Sequence, residues 1–156
     1  MILRMALAAC IAAGAALAQV PDMSGTWRLN VEKSVWGKHP KPSDATVTIE
    51  HREPSFKYSG SVVTGLGAET ADRRSFSFEG AIDGKEYAVS GSAGEGKVVL
   101  RRTSPTSVVS ERKGPDGTVI ETAKTTIMGD GKRLVREVKA VGPAGEMSWT
   151  EIYDRQ

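Results

Sequence analysis

Along most of the chain, apolar residues stand at every second position with polar or charged residues between them. That period sends successive side chains to opposite faces of an extended strand. Trp27 and Leu29 share one face, with Thr26, Arg28 and Asn30 on the other. Val47, Ile49 and His51 share a face of a strand over residues 45–53, and residues 55–59 return as its hairpin partner. Phe76 and Phe78 mark a strand over 73–78, and Tyr87 and Val89 another over 86–90. Further strands are predicted over 97–102, 107–113, 118–127, 133–141 and 146–155. After residue 20, no stretch carries an apolar stripe of helical period.

Turn chemistry separates these runs. Gly114-Pro115-Asp116-Gly117 is a strong hairpin turn, because proline presets φ and glycine accepts positive φ. Gly129-Asp130-Gly131-Lys132 and Gly142-Pro143-Ala144-Gly145 are two more, so the last four strands form a meander. Glu79-Gly80 and Asp83-Gly84 also read as turns, while Gly60 and the run from Thr64 to Ala68 loosen the chain. Residues 31–44 contain Pro40 and Pro42 and cannot form a central strand or a long helix. They read as a long connection, with a short helical turn over residues 30–34. The spacing of about ten strands lies near the roughly 8–12 residues of all-β barrels and sandwiches. Closure removes the exposed edges of a long meander. The expected fold is therefore all-β, a single antiparallel up-and-down barrel of about 8–10 strands, with a β-sandwich as the alternative.

The N-terminus stands apart from this pattern. One Arg4 precedes an apolar run from Met5 to Leu17, and Ala16-Leu17-Ala18 presents small residues for a signal peptidase. This reads as a signal peptide over 1–18, cleaved before Gln19, with the barrel domain over 19–156 and a periplasmic or secreted location. The run is too short for a membrane anchor, and no later stretch is long and apolar enough for a transmembrane helix. Leu7-Ala8-Ala9-Cys10 resembles a lipoprotein box, but the apolar stretch before Cys10 is shorter than the roughly 7–15 residues expected. Cys10, the one cysteine, is read as part of the signal, which leaves the mature chain without disulfide or thiolate chemistry.

Charge and composition narrow the function. The formal net charge is +2, and basic and acidic residues alternate along the strands. Arg73-Arg74 and Arg101-Arg102 are the only paired arginines, and neither lies in a longer basic run, so no nucleic-acid footprint is expected. Two histidines, His39 and His51, are too few for catalytic zinc, which takes three protein ligands. No Gly-x-Ser-x-Gly and no phosphate-cradling motif is present, and neither a cofactor nor a metal is expected.

Gly25-Thr26-Trp27-Arg28-Leu29 is similar to the Gly-x-Trp first-strand signature of lipocalins and the related fatty-acid-binding proteins. With Asn30, Lys33-Ser34 and the proline-rich connection, it also resembles small exported bacterial calycin-like barrels without an assigned activity. The resemblance implies an arginine packed over the signature tryptophan, and Arg155 takes that place over Trp27. The chain departs from these families in two ways. Lipocalins carry a helix beside the barrel, and here the last strand runs nearly to Gln156. Fatty-acid-binding proteins insert two helices after the first strand, where this chain has its two-proline connection.

An interior built from Val47, Ile49, Leu100, Leu134, Val138 and Met147 is largely apolar, and its aromatic and charged members are the candidate ligand contacts. They are Phe56, Tyr58, Phe76, Phe78, Tyr87, Arg136 and Trp149, with Trp27 and Arg155 as structural residues. Arg136 shares a face with Leu134 and Val138, and Glu151 one with Trp149 and Tyr153. If those faces point inward, the two charges pair with each other or Arg136 takes a ligand carboxylate. Small barrels are either hollow or filled by side chains, and the residues leave both open. The reading is an exported, non-catalytic barrel that binds a small, mostly apolar ligand. The alternative is a filled barrel acting as an envelope interaction module through Val35-Trp36.

Overall fold

In the computed structural model, which describes residues 20–65 and 71–156, each period-2 run becomes a strand. The expected signal peptide and Cys10 lie outside the described residues, as do Leu66, Gly67 and Ala68 of the glycine-rich run. The strands are β1 (Gly25–Leu29), β2 (Asp44–Arg52), β3 (Ser55–Thr64), β4 (Asp72–Ala81) and β5 (Glu86–Ser90). They continue with β6 (Gly96–Ser104), β7 (Ser107–Lys113), β8 (Val119–Met128), β9 (Arg133–Gly142) and β10 (Gly145–Arg155). Each pairs antiparallel with its neighbours in sequence, and β1 also pairs with β10, so the sheet closes as an up-and-down barrel. The sandwich alternative gives way to this closure.

Two strands run further than the sequence pattern predicts. β3 passes through Gly60 to Thr64, and β4 passes through Glu79-Gly80 to Ala81. Both glycines are slots rather than breaks. A Cβ at Gly60 would lie 2.6 Å from Phe76 Cζ, and one at Gly80 would overlap the Tyr87 ring. The missing side chains let those rings lie flat on the neighbouring strand.

One end of the barrel is sealed. The segment before β1 folds across it and buries Met23 and Trp27 completely. The Trp27 indole N–H donates to the Met23 carbonyl at 3.0 Å. Ser24 Oγ accepts from the His51 amide at 2.8 Å and donates to the His51 carbonyl at 3.1 Å. Arg155 lies over the Trp27 ring, 4.2 Å from its centroid, and donates to the carbonyls of Gly131, Asp22 and Ser24. Gly25 has φ of +134°, and a Cβ there would sit 2.7 Å from Arg155 Nη1. The glycine of the Gly-x-Trp signature thus makes room for the arginine that covers its tryptophan.

At the opposite end, the connection between β1 and β2 extends the wall. A single turn forms where the Ser34 amide donates to the Asn30 carbonyl at 3.1 Å. Val35 and Thr150 then exchange amide–carbonyl bonds at 2.8 Å, taking the edge of β10 that β1 leaves free. Val35 is exposed, but Trp36 turns inward against the core and donates to the Val31 carbonyl at 3.2 Å. The Val35-Trp36 pair is therefore not the continuous apolar surface patch that the sequence invites. Among the described residues no α-helix covers this end.

Candidate functional site

The inward faces do not meet at the centre. They leave a cavity of about 280 Å³ between them, which favours a hollow barrel over a filled one. Its floor is formed by Met23, Ile49 and Phe56, and Trp36, His39 and Pro42 of the connection line it at the mouth end.

One wall is aromatic. Tyr58 lies parallel to Phe78 at 5.4 Å and to Phe76 at 5.3 Å, and Phe56 continues the stack 6.3 Å beyond Phe78. The register explains this ladder: Tyr58 is opposite Phe78, and Gly60 is opposite Phe76. Offset stacking of this kind adds about 0.5–1.5 kcal/mol per pair beyond burial.

The facing wall carries the polar groups. Arg136 on β9 stands directly opposite Glu151 on β10, with Thr125 of β8 on its other side. Its guanidinium bonds Glu121, and its Nη1 donates to Glu151 Oε2 at 3.0 Å. Glu151 also accepts from the Trp149 indole at 2.7 Å and the Tyr153 hydroxyl at 3.1 Å. Burial works against the charge on Arg136, but Glu121 and then Glu151 outweigh it and hold the guanidinium well above its ordinary value. Burial, reinforced by Glu151, pushes the Tyr153 hydroxyl well up, and burial does the same to Tyr58. Nearer the mouth, His39 stacks on Trp149 at 4.0 Å, and its Nδ1 is buried with no partner among the described residues.

Six of the candidate contacts therefore meet at one cavity: Phe56, Tyr58, Phe76, Phe78, Arg136 and Trp149. Tyr87 does not. It packs on Gly80 and donates its hydroxyl to Asp83 at 2.9 Å, outside the cavity lining. Arg136 lies on the wall, but its guanidinium is held by carboxylates of the protein. Sequence reasoning did not single out Glu121 or Arg112 as part of the lining. The signal existed in the period-2 pattern, since Arg112 shares a face with Val108 and Ser110, and Glu121 shares one with Ala123.

A second polar group braces the sealed end. His51 Nδ1 accepts from the Met23 amide at 3.3 Å, and its Nε2 lies 2.7 Å from Glu53. Arg102 bonds both oxygens of Glu53, at 3.0 and 2.6 Å, and with His51 holds that carboxyl below its ordinary value. Ser24 meets only the backbone of His51, so these groups do not form a nucleophile–base pair. Among the described residues no three His, Cys, Asp or Glu side chains gather as a metal site.

No protein-family model matches the chain. No curated protein matches it either. Solved structures do. The zebrafish ileal bile acid-binding protein complexed with cholic acid is 14% identical, with a TM-score of 0.58 over 85% of this chain and 98% of that one. Rv2717c from M. tuberculosis is 16% identical, with a TM-score of 0.52 over 86% of this chain and 92% of that one. At such identities the likeness is one of fold, and the fold of this chain is a closed barrel of ten antiparallel strands similar to those two structures.

Proposed function

We propose that the protein is an exported, non-catalytic carrier or sensor barrel that binds one small, mostly apolar molecule inside. The observation that carries this reading is the cavity itself. Its volume of about 280 Å³ lies at the lower edge of the roughly 300–1,000 Å³ typical of ligand pockets. An aromatic ladder on one side and a compact polar set on the other suit a ligand with a large apolar part and few polar groups. The barrel similar to it from zebrafish was crystallised with cholic acid, which supports small-molecule binding as the use of such an interior. Binding without chemistry accords with the carboxylates, which are already committed to Arg136, Trp149 and Tyr153 rather than held ready as acid or base. The proposed location follows from the signal-like segment 1–18.

Native mass spectrometry of protein purified from a bacterial periplasmic fraction tests both parts. The expected result is a chain starting at Gln19 that carries, or takes up stoichiometrically, a small apolar molecule. A chain retained in the cytoplasm with residues 1–18 intact would overturn the location. A chain that holds and accepts nothing would overturn the binding role.

A further inference from the structure

His51 is the last inward side chain of β2, and only 3% of it is exposed. Its Nε2 lies 2.7 Å from the Glu53 carboxylate, which only accepts, so that nitrogen carries the ring proton. Nδ1 is then an acceptor, and it takes the Met23 amide at 3.3 Å. The neutral ring in this tautomer satisfies both neighbours. A second proton can enter only at Nδ1. There it meets the Met23 N–H, donor against donor, and the amide loses its acceptor.

Among the described residues, no free acceptor stands ready for a protonated Nδ1. Asp22 Oδ1 is 3.9 Å away, beyond hydrogen-bond reach, and already accepts the Ser24 amide at 2.8 Å. Glu53 is held by Nε2 and, through both oxygens, by Arg102. Arg102 also brings Nη2 within 3.5 Å of the ring, and Arg155 draws on the carbonyls of Asp22 and Ser24. Two carboxylates and two guanidiniums therefore surround the histidine, and each is committed. The residue that the ring holds is a floor piece of the cavity. Met23 is completely buried, lines the cavity, and accepts the Trp27 indole N–H at 3.0 Å. Lifting it opens the interior at the end away from the mouth.

We propose that His51 is a proton-operated latch: neutral, it holds residues 22–24 across the end of the barrel, and protonated, it releases Met23 and opens the floor of the cavity. Histidine is the side chain whose charge changes within about pH 5–8, so ordinary acidification works the latch. The latch needs the hollow interior but no ligand, so it stands or falls apart from the binding role.

Nuclear magnetic resonance of the purified chain, without added ligand, tests this by following the His51 ring nitrogens and the Met23 amide together from about pH 8 to pH 5. The proton is expected on Nε2 at the upper end. As the ring takes its second proton, protection of the Met23 amide, corrected for the intrinsic pH dependence of exchange, should fall about tenfold or more with the same midpoint. Amides of the β6–β7 hairpin should stay within about twofold. His51→Gln keeps an acceptor for Met23 and a donor for Glu53 but cannot take the proton, so its Met23 protection should not change with pH. Circular dichroism checks that this variant folds, and if it does not, the two midpoints in wild-type protein decide alone. A ring that ionises while Met23 stays protected, a ring that takes no proton in this range, or equal loss of protection in every strand would overturn the latch. So would a fall that persists in folded His51→Gln.

Discussion

Gly60 shows how much a single absent side chain decides. The Phe76 ring occupies the space that a Cβ at position 60 would need, and Phe76 in turn forms one end of the aromatic wall. Gly60→Val should therefore destabilise the barrel by about 1–3 kcal/mol in urea denaturation, through overpacking against the ring. An unchanged midpoint would mean that the ring has other room. Arg136 makes the opposite point about charge. It is held between two carboxylates that are largely buried, with side-chain exposures of 20% for Glu121 and 12% for Glu151. Arg136→Met leaves both without their cation and should cost about 3–5 kcal/mol. The triple change Arg136→Met, Glu121→Gln, Glu151→Gln removes the charges together and should regain most of that loss. If the triple variant is no more stable than the single one, the cost lies in packing rather than in charge.

At the scale of elements, the seam between β1 and β10 is where the barrel closes, and Arg155 holds it. Trp27 faces Arg155 on β10 and Val47 on β2 in the register, so the signature tryptophan sits under both neighbouring strands. Arg155→Met loses the contact over the indole and three bonds to carbonyls, which together should cost roughly 2–4 kcal/mol. Amide hydrogen exchange locates the effect. Protection should fall first in β1 and in the Asp22–Ser24 segment, with the β6–β7 hairpin affected last. Uniform loss across all strands would show that Arg155 does not act on the seam.

The strands themselves were legible because turn chemistry and period-2 patterning agree. Gly117 has φ of +82° and closes the Gly114–Gly117 turn with a 2.9 Å bond, as the dipeptide signals require. β5 and β7 match their predicted bounds for the same reason. Where glycine served packing instead of turning, at Gly60 and Gly80, the pattern read as a break and the strands came out too short. The inward faces were legible too, but the space between them was not. Whether Phe76 and Phe78 touch the opposite wall depends on barrel closure and tilt, which no local pattern encodes. Arg112 escaped notice because it lies next to the last residue of β7, close to a turn, where a charged residue ordinarily signals solvent.

For the molecule as a whole, the tyrosines make a prediction about pH. The chain has three tyrosines, and the hydroxyls of all three are held above the ordinary value of 10.0. Burial is the first cause for Tyr58 and Tyr153, and the hydrogen bond to Asp83 is the first for Tyr87. Each folded value thus lies above the unfolded one. The stability these groups contribute is complete below pH about 10 and is lost as pH rises through the folded values. Ultraviolet difference absorbance should show no more than one of the three phenols ionising before the barrel unfolds. Two phenols titrating at their ordinary value in folded protein would contradict a closed interior around Glu151.

The central claim is that the barrel is hollow and takes a ligand, and calorimetric titration with a neutral apolar probe tests it most directly. The account predicts saturable binding of one molecule per chain with a negative heat-capacity change. It also predicts that Ser110→Phe, which places a ring in the cavity, abolishes binding while circular dichroism still reports the barrel. Absence of binding in wild-type protein, or equal binding by the Ser110→Phe variant, would contradict it.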